Sequence, residues 1–195
     1  MRAKLLSVAL LSPALLAMTA SNAAMHLQPG SRLWVSGTST VRSFECSAAS
    51  INASVNAIGT GTAAAVVKGS KVVSAVEVSV PAAKLDCKNG TMNGHLMKAI
   101  KGEQAPVITF KLASYDVDPG TAGATVSMTG TLTLGGVTKP IAVKATAKEE
   151  AGALRVTGTH ELKMTEFGLK APTLMMGTMK VNELVKVGFD LQLKD

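Results

Sequence analysis

Four methionines gather late in the chain: Met164, Met175, Met176 and Met179. Thioethers are soft ligands that select Cu(I), so this cluster could serve a copper carrier. Methionine also fills irregular apolar space and adapts to variable ligands, which is the competing reading. Of the three histidines, His160 is in phase with Val156, Leu162 and Met164 on one apolar strand face. It would either offer a donor to a ligand headgroup or be a core histidine satisfied by backbone or water. His95 falls on a predicted helix, with no visible partner for acid–base work. His26 lies near the start and reads as exposed. The two cysteines, Cys46 and Cys87, stand 41 positions apart. In an oxidising compartment such a pair reads as one disulfide. Two free thiols or half a metal site are the alternatives, but there is no Cys-x-x-Cys and no His adjoins either. Enzyme signatures are missing: no Gly-x-Ser-x-Gly, His-Glu-x-x-His, phosphate loop or dinucleotide fingerprint occurs. Glu149-Glu150, followed by Gly152, read as solvated charge in a loop. No residue is therefore assigned to catalysis.

The elements that must position these groups are strands. From Thr125, Val126, Met128, Leu132 and Leu134 share one face and Thr125, Ser127, Thr129, Thr131 and Thr133 the other, which is the pattern of a half-buried strand. Gly135-Gly136 marks a tight turn into a second strand with Ile141, Val143, Ala145 and Ala147 inward. Pro140 puts the start of that strand at a ladder edge. Val76–Val80, Ile108–Leu112, Leu154–Met164 and Val185–Leu193 alternate in the same way, and Leu33-Trp34-Val35 also reads as strand. Between Ser43 and Ile58 the apolar face switches near Ala48-Ala49-Ser50, which predicts a bulge or bend. One helix is expected over 91–100, where Met92, Leu96 and Ile100 recur with Met97 beside them, and Gly102 would end it. Residues 170–182 read as a long loop. About eight strands, each apolar on one side, hide that side by closing on themselves.

Composition narrows the function classes. The 195 residues are 47% hydrophobic and 17% charged, which is globular rather than disordered. Aromatics are 3%, too few for a base-stacking platform, and the net charge of +7 comes from scattered lysines. Nucleic acid is thus not an expected partner. Arg2 and Lys4 precede the apolar run Leu5–Ala17, which is too short to span a bilayer, and Ser21-Asn22-Ala23 offers a cleavage site. Residues 1–23 are read as a signal peptide and 24–195 as one exported domain. Its Thr- and Lys-rich outer face and few aromatics argue against an outer-membrane barrel, and so against stable membrane insertion.

Several stretches resemble one family. Thr129-Gly-Thr-Leu-Thr-Leu-Gly-Gly-Val-Thr-Lys-Pro-Ile141 is similar to the central hairpin of the YceI-like proteins. Gly94-His-Leu-Met-Lys98 with Pro106-Val-Ile-Thr-Phe110, and Glu166-Phe-Gly-Leu169 before a Val-rich strand, resemble further family segments in the same order. The chain departs from the family pattern at Gly37, Thr38-Ser39 and Asn93-Gly94. The resemblance implies an all-β, antiparallel, lipocalin-like β-barrel of about eight strands with one short helix, located in the periplasm. It also implies that a polyisoprenoid or other long lipid occupies the lumen, with no catalysis and no further cofactor. On that reading Phe110, Met128, Leu132, Ile141, Val143, Leu162, Met164, Phe167 and Phe189 line the lumen. Met97 and Ile100 pack from the helix, and His160 is the buried polar contact. The runner-up readings are the Cu(I) carrier and an interaction module with a filled core. The oligomeric state is left open between monomer and homodimer.

Overall fold

The computed structural model describes residues 22–195. The predicted leader, 1–23, lies outside it apart from its last two positions. In chain order the elements are β1 Asn22–Leu27, β2 Arg32–Thr38, β3 Ser43–Ala48, β4 Asn52–Ile58, α1 Thr62–Val67, β5 Val73–Pro81 and β6 Leu85–Asp86. They continue with α2 Gly90–Ala99, β7 Val107–Asp118, β8 Ala124–Leu134, β9 Val137–Glu150, β10 Ala153–Lys163, β11 Thr173–Leu174, β12 Met179–Lys180 and β13 Leu184–Lys194. All pairings are antiparallel, in the order β1-β4-β5-β7-β8-β9-β10-β13, and β13 pairs back to β1 to close a barrel.

The remaining strands of this sheet, β2, β3 and β6, are continuations rather than additions. β1 pairs with the end of β13 (Leu27 opposite Leu193) and β2 with its earlier part (Val35 opposite Val187). β3 and β4 face β2 and β1 in turn, while β6 and β5 face β3 and β4. Three neighbouring strands of an eight-stranded barrel are therefore each interrupted once. The break between β3 and β4 falls at residues 49–51, where the sequence pattern changes face. Backbone hydrogen bonds bridge these breaks, from Gln28 N to Gln192 O and from Ala49 N to Lys84 O.

The hairpin read from the glycine pair forms as expected. Leu134 faces Val137, and Gly135 and Gly136 both take positive φ (58° and 81°), which a two-residue turn matched to strand twist requires. Pro140 costs no ladder bond, because β9 pairs with β10 only over 145–150. Glu149 and Glu150 are not in a loop. They end β9, since Ala151-Gly152 alone make the turn, and Glu150 pairs with Arg155 (2.9 Å).

Two packed clusters occupy opposite poles. One holds Met25, Val55, Ala63, Val66, Val126, Ala147, Leu154 and Leu193. The short helix α1, absent from the sequence reading, belongs here. It closes this pole with Ala63 and Val66 turned inward, and Asp195 Oδ2 accepts from the N–H groups of Gly61 (2.8 Å) and Thr62 (3.0 Å). The other cluster includes Val80, Leu85, Ile100, Leu134, Leu162, Met164, Phe167 and Leu169 and lies beneath α2.

Candidate ligand cavity

Inward alternation leaves a cavity of about 720 Å³ along the barrel axis, lined almost entirely by apolar side chains. Alternate residues of most wall strands face it, among them Val76, Val78 and Val80 of β5 and Val187, Phe189 and Leu191 of β13. On β7 the phase changes. Ile108, Phe110 and Leu112 face inward, a bulge follows between Leu112 and Ser114, and Tyr115 then turns in. Its hydroxyl accepts a hydrogen bond from Val73 N (2.9 Å), beyond the last β5–β7 pair, and burial pushes the phenol pKa up.

Helix α2 forms the ceiling. Asn89 caps it, its Oδ1 accepting from Met92 N (3.0 Å). The far end closes with Gly102 N donating to Met97 O (2.8 Å) and Lys101 N to Lys98 O (3.2 Å). The left-handed position there is Lys101, not Gly102; a Cβ on Gly102 would sit 2.7 Å from Met97 Cε. Met92, His95, Leu96, Ala99 and Ile100 face the cavity. Two ties anchor the helix start. The Cys46–Cys87 disulfide links β3 to a position two residues before the cap, and both cysteines line the cavity. Asn93, one of the departures from the family pattern, accepts from Cys87 N (2.8 Å) and donates to Asp86 (3.1 Å). With Lys88 N also donating to it, the Asp86 carboxyl is held below the usual range.

The mouth opens at the α2 pole. Ser39 and Arg42 border it on the β2–β3 turn, Asn89 and Thr91 at the helix start, and Pro172, Met179 and Val181 on the segment before β13. Backbone bonds tie the two loops together, Thr40 N to Lys180 O (3.0 Å) and Asn182 N to Thr38 O (2.8 Å). Polar lining is concentrated in this rim; deeper in, His95, His160 and Tyr115 supply polar atoms. Neither cavity imidazole makes a hydrogen bond to any described protein group.

Most of the expected lining residues meet in this cavity: Ile100, Phe110, Met128, Leu132, Ile141, Val143, His160, Leu162, Met164 and Phe189. Met97 and Phe167 do not. Met97 points sideways into the Gly102–Ala82 contact, because the inward helical stripe runs through His95 and Ala99 instead. Phe167 is 1% exposed inside the cluster below, drawn there by the 3-10 turn Met164–Phe167 that follows β10. The methionine cluster disperses as well. Met164 and Met179 face the cavity while the Met176 side chain is fully exposed in the short β11–β12 hairpin, itself unforeseen within the expected loop; the Met175 side chain lies outside what the structure describes. Among the described residues, no group of three or more His, Cys, Asp or Glu could hold a metal ion.

Sequence reading missed how the aromatics lie. Phe44 is paired with Gly37 across β2–β3, and a Cβ on Gly37 would come within 2.7 Å of Phe44 Cζ. Gly158 is paired with Phe189, whose Cζ would be 2.5 Å away, and a Cβ on Gly130 would be 2.7 Å from Phe110 Cε2. These three phenyl rings lie flat over glycine on the inner wall. Trp34 does the same over Gly188 on the outside, with Arg32 stacked on its ring (5.2 Å).

Comparison with known proteins gives a consistent result. The YceI-like domain family matches residues 27–193. No curated protein matches the sequence. BcnA of Burkholderia cenocepacia is similar in structure at 17% identity, with a TM-score of 0.65 over 83% of this chain and 95% of that one. A polyisoprenoid binding domain from Saccharophagus degradans, implicated in plant cell wall breakdown, aligns at 12% identity and TM-score 0.63 over 90% and 99%. A Campylobacter jejuni YCEI protein aligns at 16% identity and TM-score 0.55 over 98% and 97%. At these identities the structural likeness speaks to the fold alone.

Proposed function

The chain belongs to the YceI-like family, and from that premise we propose that it is an exported binding protein. It holds a polyisoprenoid or similar long apolar chain in the barrel and performs no catalysis. The observation that carries this reading is the cavity: about 720 Å³, closed by α1 at one pole, with most of its few polar groups at the mouth near the other. Its volume lies within the range of sites that enclose a whole small molecule, roughly 300–1,000 Å³. Burial of a hydrocarbon tail there gains about 0.8 kcal/mol per methylene before ordering costs. His160 and His95 offer donors to a carbonyl or hydroxyl headgroup without breaking any protein hydrogen bond. Support for ligand class comes from the Saccharophagus degradans domain, whose name states polyisoprenoid binding.

Export is part of the proposal. The Cys46–Cys87 disulfide suits an oxidising compartment, the periplasm for this family. Cleavage after Ala23 would leave β1 its pairs Ala24–Asn56, Met25–Val55, His26–Lys194 and Leu27–Leu193. No described helix is long and apolar enough to cross a membrane.

The test is mass spectrometry of protein purified from an exporting host without detergent, sprayed native and then denatured. A stoichiometric adduct released as an isoprenoid or acyl lipid is the expected result. Bare polypeptide, even after incubation with quinones and fatty acids, would refute the carrier reading.

A further inference from the structure

The loops around the mouth carry the most exposed large apolar side chain in the described structure. Met176 is fully exposed at the tip of the β11–β12 hairpin, and Val41 is 66% exposed at the tip of the β2–β3 turn. The two tips belong to one unit. Thr40 Oγ1 donates to Thr178 O (3.0 Å) and accepts from Lys180 N (3.2 Å), and Ser39 bridges to Val181. Met179 and Val181 of the same segment turn the other way, into the cavity. This unit thus carries apolar side chains on both sides, Met176 and Val41 outward and Met179 and Val181 inward.

Charge on this unit has one sign. Arg42, Lys170 and Lys180 are exposed, none is ion-paired with a described residue, and residues 39–42 and 170–182 contain no Asp or Glu. Glu183 is the first acidic residue, where the segment rejoins β13. Apolar tips inside a basic collar complement the headgroup layer of an anionic bilayer, which takes apolar side chains to its acyl boundary and pairs its phosphates with cations.

We propose that this tip seats the cavity mouth on an anionic bilayer surface, with Met176 and Val41 inserted and Arg42, Lys170 and Lys180 on lipid phosphates. A lipid could then pass between bilayer and lumen without its tail crossing water. The inference deepens the carrier reading, yet its test needs no cargo and fails separately from it.

The experiment is co-flotation of the purified exported protein with vesicles of phosphatidylethanolamine and phosphatidylglycerol, against vesicles of phosphatidylcholine alone. Each basic side chain near an anionic surface strengthens binding by about fivefold. The protein should therefore favour the anionic vesicles strongly at low salt and lose most of that preference in 1 M salt. The Arg42→Glu/Lys180→Glu variant should bind them at least about 25-fold more weakly. Val41→Asp/Met176→Asp should also release the protein, while Lys68→Glu at the opposite pole leaves binding unchanged. These sites are exposed, and thermal melts should verify that each variant remains folded. Equal binding to both vesicle types, or anionic binding indifferent to Val41→Asp/Met176→Asp, would overturn the proposal. So would dimerisation of the wild type that the same variant abolishes without any vesicle binding, which would assign the tip to a second copy. A variant that releases vesicles but retains its lipid adduct in native spectra would separate docking from cargo binding.

Discussion

Reduction of the Cys46–Cys87 bridge should weaken the fold substantially and loosen one element above the rest. The bridge closes a loop of 41 residues, and the chain-entropy relation gives about 4 kcal/mol for that span. Both cysteines are buried, at 1% and 6% exposure, so a Cys46→Ala/Cys87→Ala variant would add a packing loss to the entropic one. Oxidised against reduced wild type is the cleaner comparison, since the two differ only in the cross-link. Urea unfolding monitored by the single tryptophan, Trp34, should show the reduced form less stable by about 4 kcal/mol. For a domain of this size that corresponds to a melting shift of roughly 8–16 °C. The bridge ends two residues before the Asn89 cap, so hydrogen exchange in the reduced protein should rise most over residues 90–99. The β8–β9 hairpin should change little. A stability difference below about 1 kcal/mol would refute the entropic argument. A uniform rise in exchange would refute the claim that the bridge anchors the ceiling.

Three further outcomes follow from the wall. Leu132→Trp, at a half-buried lining position opposite Phe110, should abolish lipid adducts in native spectra while circular dichroism stays unchanged; an intact adduct would deny a lumen there. Tyr115→Phe leaves Val73 N–H without its acceptor, so urea unfolding should show a loss of about 1–2 kcal/mol, and a neutral result would mean water substitutes. The Asp190 carboxyl is bonded twice by Arg155 (2.7 and 2.8 Å), which holds its pKa below the usual range. Its stabilisation is thus complete above the unfolded carboxylate pKa of about 3.9 and disappears as pH falls through the lower folded value. Denaturation curves between neutral pH and pH 2 should be steeper in acid for wild type than for Asp190→Asn, and parallel curves would contradict the assignment.

Legibility in the sequence tracked how local the determining interactions are. The β8–β9 hairpin could be read because strict alternation and Gly135-Gly136 specify both face and register within a short span. The break at 49–51 was visible as a change of face. Helix α1 was not, since six residues rich in alanine contain too little periodicity, and the cap from Asp195 comes from the far end of the chain. The helical stripe of α2 was half right. Met92, Leu96 and Ile100 fit, but Met97 is as apolar as its neighbours, and only the Gly102–Ala82 contact decides where it goes. Tyr115 was missed because a bulge resets the phase just before it. The Met176 side chain shows the opposite limit, as composition alone cannot tell a methionine in a lumen from one on a loop tip.

The flat phenyl rings have a consequence for how such barrels diverge. A ring that lies down over glycine occupies the wall, whereas a ring displaced by a single added methyl must stand up into the bore. The calibre of this barrel is therefore set in part by Gly37, where an added methyl would meet only side chains, whereas at Gly130 and Gly158 it would also meet the carbonyl oxygens of Lys111 and Lys144. Two relatives could share every lining side chain and still admit cargoes of different girth, through changes at positions that touch no cargo at all. Substrate range would then be written in the small residues behind the aromatics, where a comparison of lining residues alone would not find it.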